Sequence, residues 1–284
     1  MYLMSHPHLC AGLGLLGICL LASIPAYADS WVVTQAVNVT NAVTMNQTNT
    51  TNSKQAMNAV NLGNSTLNNS SQTVTAGNGV TMNQTDANSS KQAMNMILST
   101  GTVNNTSQTV NMSSKDLTLK QSGSTSNSHQ AANMMQATTI EGNSSQSVTG
   151  ISDLTLEATS SGSVQAVNMA SATDMGGLSQ AVSASGNVKF KLAGCTNCYQ
   201  AGNYMNTDNI TASMSQTFTG GTIDYSESTG ANTGSVQAGN ILIRKIGGTV
   251  TGTVSQSFNG ASINVYGNST PHSVTQAGNY FAKR

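Results

Sequence analysis

The hydrophobic and polar positions divide the chain into an apolar leader and a long stretch of short alternating segments. From Leu9 to Ile24 nearly every residue is apolar, and no comparable run follows. Segments such as Val43-Thr44-Met45-Asn46-Gln47 and Leu117-Thr118-Leu119-Lys120-Gln121 alternate with a period of two, the pattern of a strand with one buried face. Between them lie clusters such as Ala76-Gly77-Asn78-Gly79, which supply turn chemistry. Helical periodicity is absent after the leader, so an all-β fold is expected.

The segments recur. A tetrad Gln-Ala-x-Asn begins at Gln35, Gln55, Gln92, Gln130, Gln165, Gln200, Gln237 and Gln276, and after the first interval the spacings are 37, 38, 35, 35, 37 and 39 residues. A second element, Ser-Gln and a small residue, places Gln72, Gln108, Gln146, Gln180, Gln216 and Gln256 near the middle of each interval. Second strands follow these glutamines, as at Val80-Thr81-Met82 and Ile223-Asp224-Tyr225, and Gln35 is followed in the same way by Val43-Thr44-Met45. The unit reads as strand, turn, strand, turn: about 37 residues in two halves of 18–19.

One such unit buries almost nothing and leaves its backbone groups unpaired. Stacking units about 4.8 Å apart pairs each strand with those above and below. The expected fold is therefore a β-solenoid over residues 29–284, its rung length open between 18 and 37 residues. Stacking would align the fourteen glutamines, and the tetrad asparagines Asn58, Asn95, Asn133, Asn168, Asn203, Asn240 and Asn279, into hydrogen-bonded columns. Ala56 and Ala93 would let strands pack closely, and Gly202, Gly239 and Gly278, in the third tetrad position, point to a close backbone approach or a bulge. The methionines are expected to fill the core; soft-metal binding is the alternative.

Composition agrees with stacking. Charged residues make up 7% of the chain and the formal net charge is zero, whereas globular domains carry about 25% charged residues. A column of one charge would repel itself, while amides stack. No basic stripe exists to neutralise phosphates, so nucleic acid is not an expected partner. A hydrophobic content of 37% with only three prolines argues against disorder.

The leader ends in Pro25-Ala26-Tyr27-Ala28, whose small residues suit signal-peptide cleavage before Asp29, although only His6 and His8, and no Lys or Arg, precede the apolar run. Residues 1–28 are read as a signal peptide. The run is shorter than the roughly 20 residues of a spanning helix, so no integral membrane segment is expected after cleavage.

Spaced glutamines and asparagines in a strand-turn-strand repeat, with Gln-Ala-Gly-Asn at Gln200, Gln237 and Gln276, resemble the curli major subunit family. The double unit and the Cys-x-x-Cys resemble the Fap fibre subunits of pseudomonads. The resemblance covers residues 29–284 in style, without the alternating glycines of curli and with the cysteine pair inside a repeat. It implies a secreted, self-assembling functional-amyloid subunit of a Gram-negative bacterial surface or biofilm matrix, served by a dedicated secretion or nucleator system.

Cys195 and Cys198 are the only cysteines after the leader. A local disulfide in an exported protein is the first reading; cross-linking between molecules, a redox pair and half a zinc site are the others. Acids are spread thinly and His129 and His272 have no carboxylate nearby in sequence, so neither an enzyme nor a cofactor is expected. A fibre subunit is favoured because no recognisable cap flanks the repeats. A monomeric adhesin or carbohydrate-binding solenoid is the alternative, and it would need an outer row of aromatics such as Tyr204, Tyr225, Tyr266 and Tyr280.

Overall fold

The computed structural model describes residues 30–227, 232–266 and 273–284; the leader and the expected cleavage site lie outside them. The described residues form 21 strands in sheets of eleven and ten, without a helix. Strands stack in parallel with identical residues in register, as a solenoid requires. In one sheet the tetrad strands Lys54–Leu62, Lys91–Ser99, His129–Gln136, Val164–Met175, Tyr199–Ile210, Thr233–Arg244 and Ser273–Lys283 pair in sequence order. The opposite sheet carries the Ser-Gln strands and the strands that follow them, beginning with Thr34–Val39 and Val43–Thr48.

These registers fix the rung. Gln55 lies on Gln92 and Gln72 on Gln108, so one turn takes about 37 residues, and glutamines half a repeat apart lie in opposite sheets. Seven turns result. They also correct the assignment of Gln35. Although Gln35-Ala36-Val37-Asn38 spells the tetrad, Gln35 pairs with Gln72 and belongs to the opposite sheet.

The turns bend at residues in the left-handed region. Asn52, Ser89, Asn127, Gly162, Asn197 and Gly234 occupy one corner with φ between 48° and 61°, each three residues before a tetrad glutamine. Asn and Gly adopt this conformation at least cost, which accounts for their abundance between strands. The preceding residues form a thread of single parallel bridges along the corner from Thr51 to Thr233.

Between the sheets, the column Val37, Val74, Val110, Val148, Val182, Phe218, Phe258 faces the third tetrad residues. Those third residues are Met57, Met94, Ala132 and Val167 while the column is valine, and Gly202, Gly239 and Gly278 where it becomes phenylalanine. A Cβ on Gly202 or Gly239 would lie 2.1 Å from the Phe218 or Phe258 ring. Methionines such as Met82, Met94 and Met112 are wholly buried core residues, as expected.

The tetrad strand is kinked in every turn, not only at the glycines. Pairing skips the third residue, so Met94 and Asn95 both face inward. The outward residues on either side, Ala93 and Met96, fall into the concave side of the kink. With Ala131, Met134, Ala166, Met169 and Ile241 they form a second core drawn from this sheet alone. Long side chains cross it: His129 Nδ1 is 3.1 Å from Gln136 Nε2, and the Tyr199 and Tyr204 rings are 5.8 Å apart.

Candidate functional site

The sequence-predicted glutamines and asparagines come together as three unbroken amide ladders. Gln35, Gln72, Gln108, Gln146, Gln180, Gln216 and Gln256 form the first, each Nε2 donating to the Oε1 of the preceding turn at 2.7–2.9 Å. Gln55, Gln92, Gln130, Gln165, Gln200, Gln237 and Gln276 form the second, at 2.6–2.9 Å and in the same direction. The third, Asn58, Asn95, Asn133, Asn168, Asn203, Asn240 and Asn279, runs the other way. Each Nδ2 donates to the Oδ1 of the following turn at 2.7–2.9 Å.

The second amide hydrogen fixes these orientations. Gln108 Nε2 also donates to the Met134 carbonyl at 3.0 Å, and Asn133 Nδ2 to the Ser147 carbonyl at 3.0 Å. An amide flipped end for end would set its oxygen against those carbonyls. The ladders thus tie the two sheets through the core as well as successive turns. The links between inner turns are buried, where the unmade alternative costs about 1–3 kcal/mol per group, and those at the ends are part-buried.

A fourth ladder was not read from the sequence. Gln47, Gln84 and Gln121 stack at 2.8 and 2.9 Å, in the strands after the Ser-Gln strands. It stops after three turns because Ala158 and then Leu192 take the next places in register. Gln121 Oε1 is left buried without a hydrogen-bond partner.

Where that ladder has ended, the thiol pair sits. Ala158, Leu192, Cys195 and Cys198 form one small apolar cluster, with both cysteines buried as free thiols. Cys198 occupies a column of corner hydroxyls. Ser53, Ser90 and Ser128 each donate a main-chain N–H to the Oγ of Ser90, Ser128 and Ser163 in the next turn, at 3.1–3.2 Å, and Cys198 donates likewise to Ser235 Oγ at 3.1 Å. Ser160 Oγ lies 3.3 Å from Cys198 Sγ and 3.9 Å from Cys195 Sγ. A thiol hydrogen bond between the cysteines lowers the Cys198 pKa, and the same bond, with burial, raises that of Cys195. The sequence signal that explains Cys198 is Asn197-Cys198-Tyr199-Gln200 set beside Asn127-Ser128-His129-Gln130.

Charged side chains occupy few columns. Lys120, Glu157 and Lys191 alternate in sign in one, with Lys120 Nζ 3.5 Å from Glu157 Oε1. Lys54, Lys91 and His129 follow one another in another. Burial and then Lys54 lower the Lys91 pKa, and burial and then Lys91 bring that of His129 down to about 4.

Turn carboxylates are held by the backbone: Asp116 Oδ1 accepts from the Asp153 N–H at 3.2 Å, and Asp153 Oδ1 from the Asn187 N–H at 2.7 Å. The four tyrosines do not form one outer row. Tyr204 and Tyr280 share a column of the kinked face with Ile241 between them, Tyr225 is in the core between the sheets, and Tyr266 is exposed on the opposite sheet. Among the described residues no three His, Cys, Asp or Glu side chains gather as metal ligands, and no helix is long and apolar enough to cross a membrane.

The outermost described strands leave apolar columns open. Ile263 and Val265 are 52% and 60% exposed, although their partners one turn back, Ile223 and Tyr225, are 0% and 1% exposed. Comparison of the chain with family models, curated proteins and solved structures finds no match.

Proposed function

We propose that this chain is an exported structural protein, a subunit that stacks into an extracellular fibre for a matrix or for surface attachment. The observation that carries the reading is the continuity of the three full ladders from the first described turn to the last. Their chemistry contains nothing that limits the stack to seven turns. Among the described residues the first and last turns leave their outer strand edges unpaired, and such edges would template further strands. The leader supports export, and the low charge permits like columns to meet.

The adhesin reading loses part of its support, because only two of the four tyrosines it would use, Tyr204 and Tyr280, share an outer face, and Ile241 separates them in their column. The test is to purify residues 29–284, incubate them quiescently near neutral pH, and record thioflavin T fluorescence, electron micrographs and fibre diffraction. Unbranched fibres with a meridional reflection near 4.8 Å are expected. A stable β-rich monomer would overturn the proposal.

A further inference from the structure

We infer that the two ends of the stack are unlike and mutually complementary faces, so that a second copy of this chain docks C-terminal edge to N-terminal edge and in no other orientation. The inference rests on the fibre reading and adds to it a direction and a register.

The opposed ladders supply the argument. Glutamine links donate toward the N-terminal end and asparagine links toward the C-terminal end in every turn. The first described turn therefore presents outward the remaining amide hydrogens of Gln35 and Gln55 and the Oδ1 of Asn58. The last presents Gln256 Oε1, Gln276 Oε1 and an Nδ2 hydrogen of Asn279. Donors at one end match acceptors at the other in all three columns. Two like edges could meet only about a two-fold axis, which reverses the strand direction, so at most one column would face its own copy and the parallel in-register ladders of Gln35, Gln55 and Asn58 could not continue across the contact. Such a contact leaves buried polar groups unmade, and each such group costs about 1–3 kcal/mol.

The apolar columns agree with the same register. Val43 and Ile263 end one column, Met45 and Val265 another, and Val60 and Phe281 a third, each continuous through the intervening turns. Phe281 is 51% exposed while Leu242, one turn back, is 0% exposed. Docking an N-terminal edge there covers Ile263, Val265 and Phe281 with the residues their own columns begin with. The contact uses different surfaces on the two copies and continues the stack along its own axis, so it propagates as an open fibre.

The experiment blocks one edge at a time, with residues 29–284 as the parent. Val43→Lys places a charge on the N-terminal edge, and Val265→Lys places one on the C-terminal edge. Circular dichroism checks that both variants fold. Each alone should sediment as a monomer, and a mixture should form a one-to-one heterodimer that grows no further. Dimers of either variant alone, or a mixture that stays monomeric while the parent forms fibres, would overturn the inference and leave the fibre reading standing. A parent that never assembles would overturn both. Should a lysine variant fail to fold, Gln35→Cys and Gln256→Cys copies assembled together and oxidised should cross-link unlike positions. Bridges joining Gln35 sites to each other would overturn the inference.

Discussion

Gly202 and the Phe218 ring share one volume: a methyl group built on Gly202 would lie 2.1 Å from Phe218 Cδ2. One turn earlier Val167 and Val182 occupy the equivalent places. The core thus keeps its filling while its side chains change hands between the sheets, as close packing demands.

Gly202→Ala should therefore overpack the core and destabilise the fold by about 1–3 kcal/mol. Adding Phe218→Val should recover much of that loss, because the pair then approaches the arrangement of Val167 with Val182. Urea unfolding of the single and double variants measures both. Equal destabilisation in the two would show that the clash is not with Phe218.

Cys198→Ser should change stability by less than about 1 kcal/mol, because serine fills the same corner at Ser90, Ser128, Ser163 and Ser235 and accepts the same main-chain N–H. Cys195 and Cys198 are 0% and 1% exposed, so a thiol reagent should react with neither until the solenoid opens. The check is labelling in rising urea, monitored alongside circular dichroism. Labelling in native buffer would refute the buried placement.

The His129 pKa of about 4 lies below its ordinary value of 6.5, so the unfolded chain binds a proton more readily than the folded one. Stability held above pH 6.5 is then lost as the pH falls from about 6.5 to about 4. The groups that face the ring are Lys91 on the preceding turn, Gln136 across the groove and Val164 on the following turn; none is an acid that would favour the charged form. Between pH 7 and pH 4.5 the urea midpoint should fall more steeply for the parent than for His129→Gln, by the equivalent of about 2 kcal/mol. Equal slopes would show that His129 does not set the acid sensitivity.

Much of this arrangement was legible in the chain because stacking repeats the same residue at the same place. Fourteen glutamines and seven asparagines fall in three ladders, and the interval between like glutamines is the turn. The rung length was not legible, since both halves of the repeat carry a glutamine and nothing in the spacing distinguishes facing from stacking. Gln35 misled because its four-letter context matches the tetrad; its 37-residue distance to Gln72 and the Val43 strand after it place it in the opposite sheet. The Gln47, Gln84, Gln121 ladder escaped notice because it spans only three turns, and its glutamines follow Asn46, Asn83 and Lys120 with no serine before them and no alanine after them. Cys198 looked like half of a motif when read with Cys195 alone. Aligned with Ser128 and Ser163, it is a serine position filled by sulfur.

The in-register corners also make the molecule's length an integer quantity. From Asn52 to Gly234 each turn begins and ends at the same corner conformation, with the same three amide columns entering and leaving, so a whole turn can be removed there without disturbing its neighbours' registry. Joining Lys91 directly to Gln130 would set Asn58 against Asn133 and Gln55 against Gln130, residues that already occupy equivalent places. The stack would shorten by one strand spacing, about 4.8 Å, and stability would fall by one turn and its interface. A gene for such a chain can lengthen or shorten its product by duplication or loss of single turns, with no new contact to evolve.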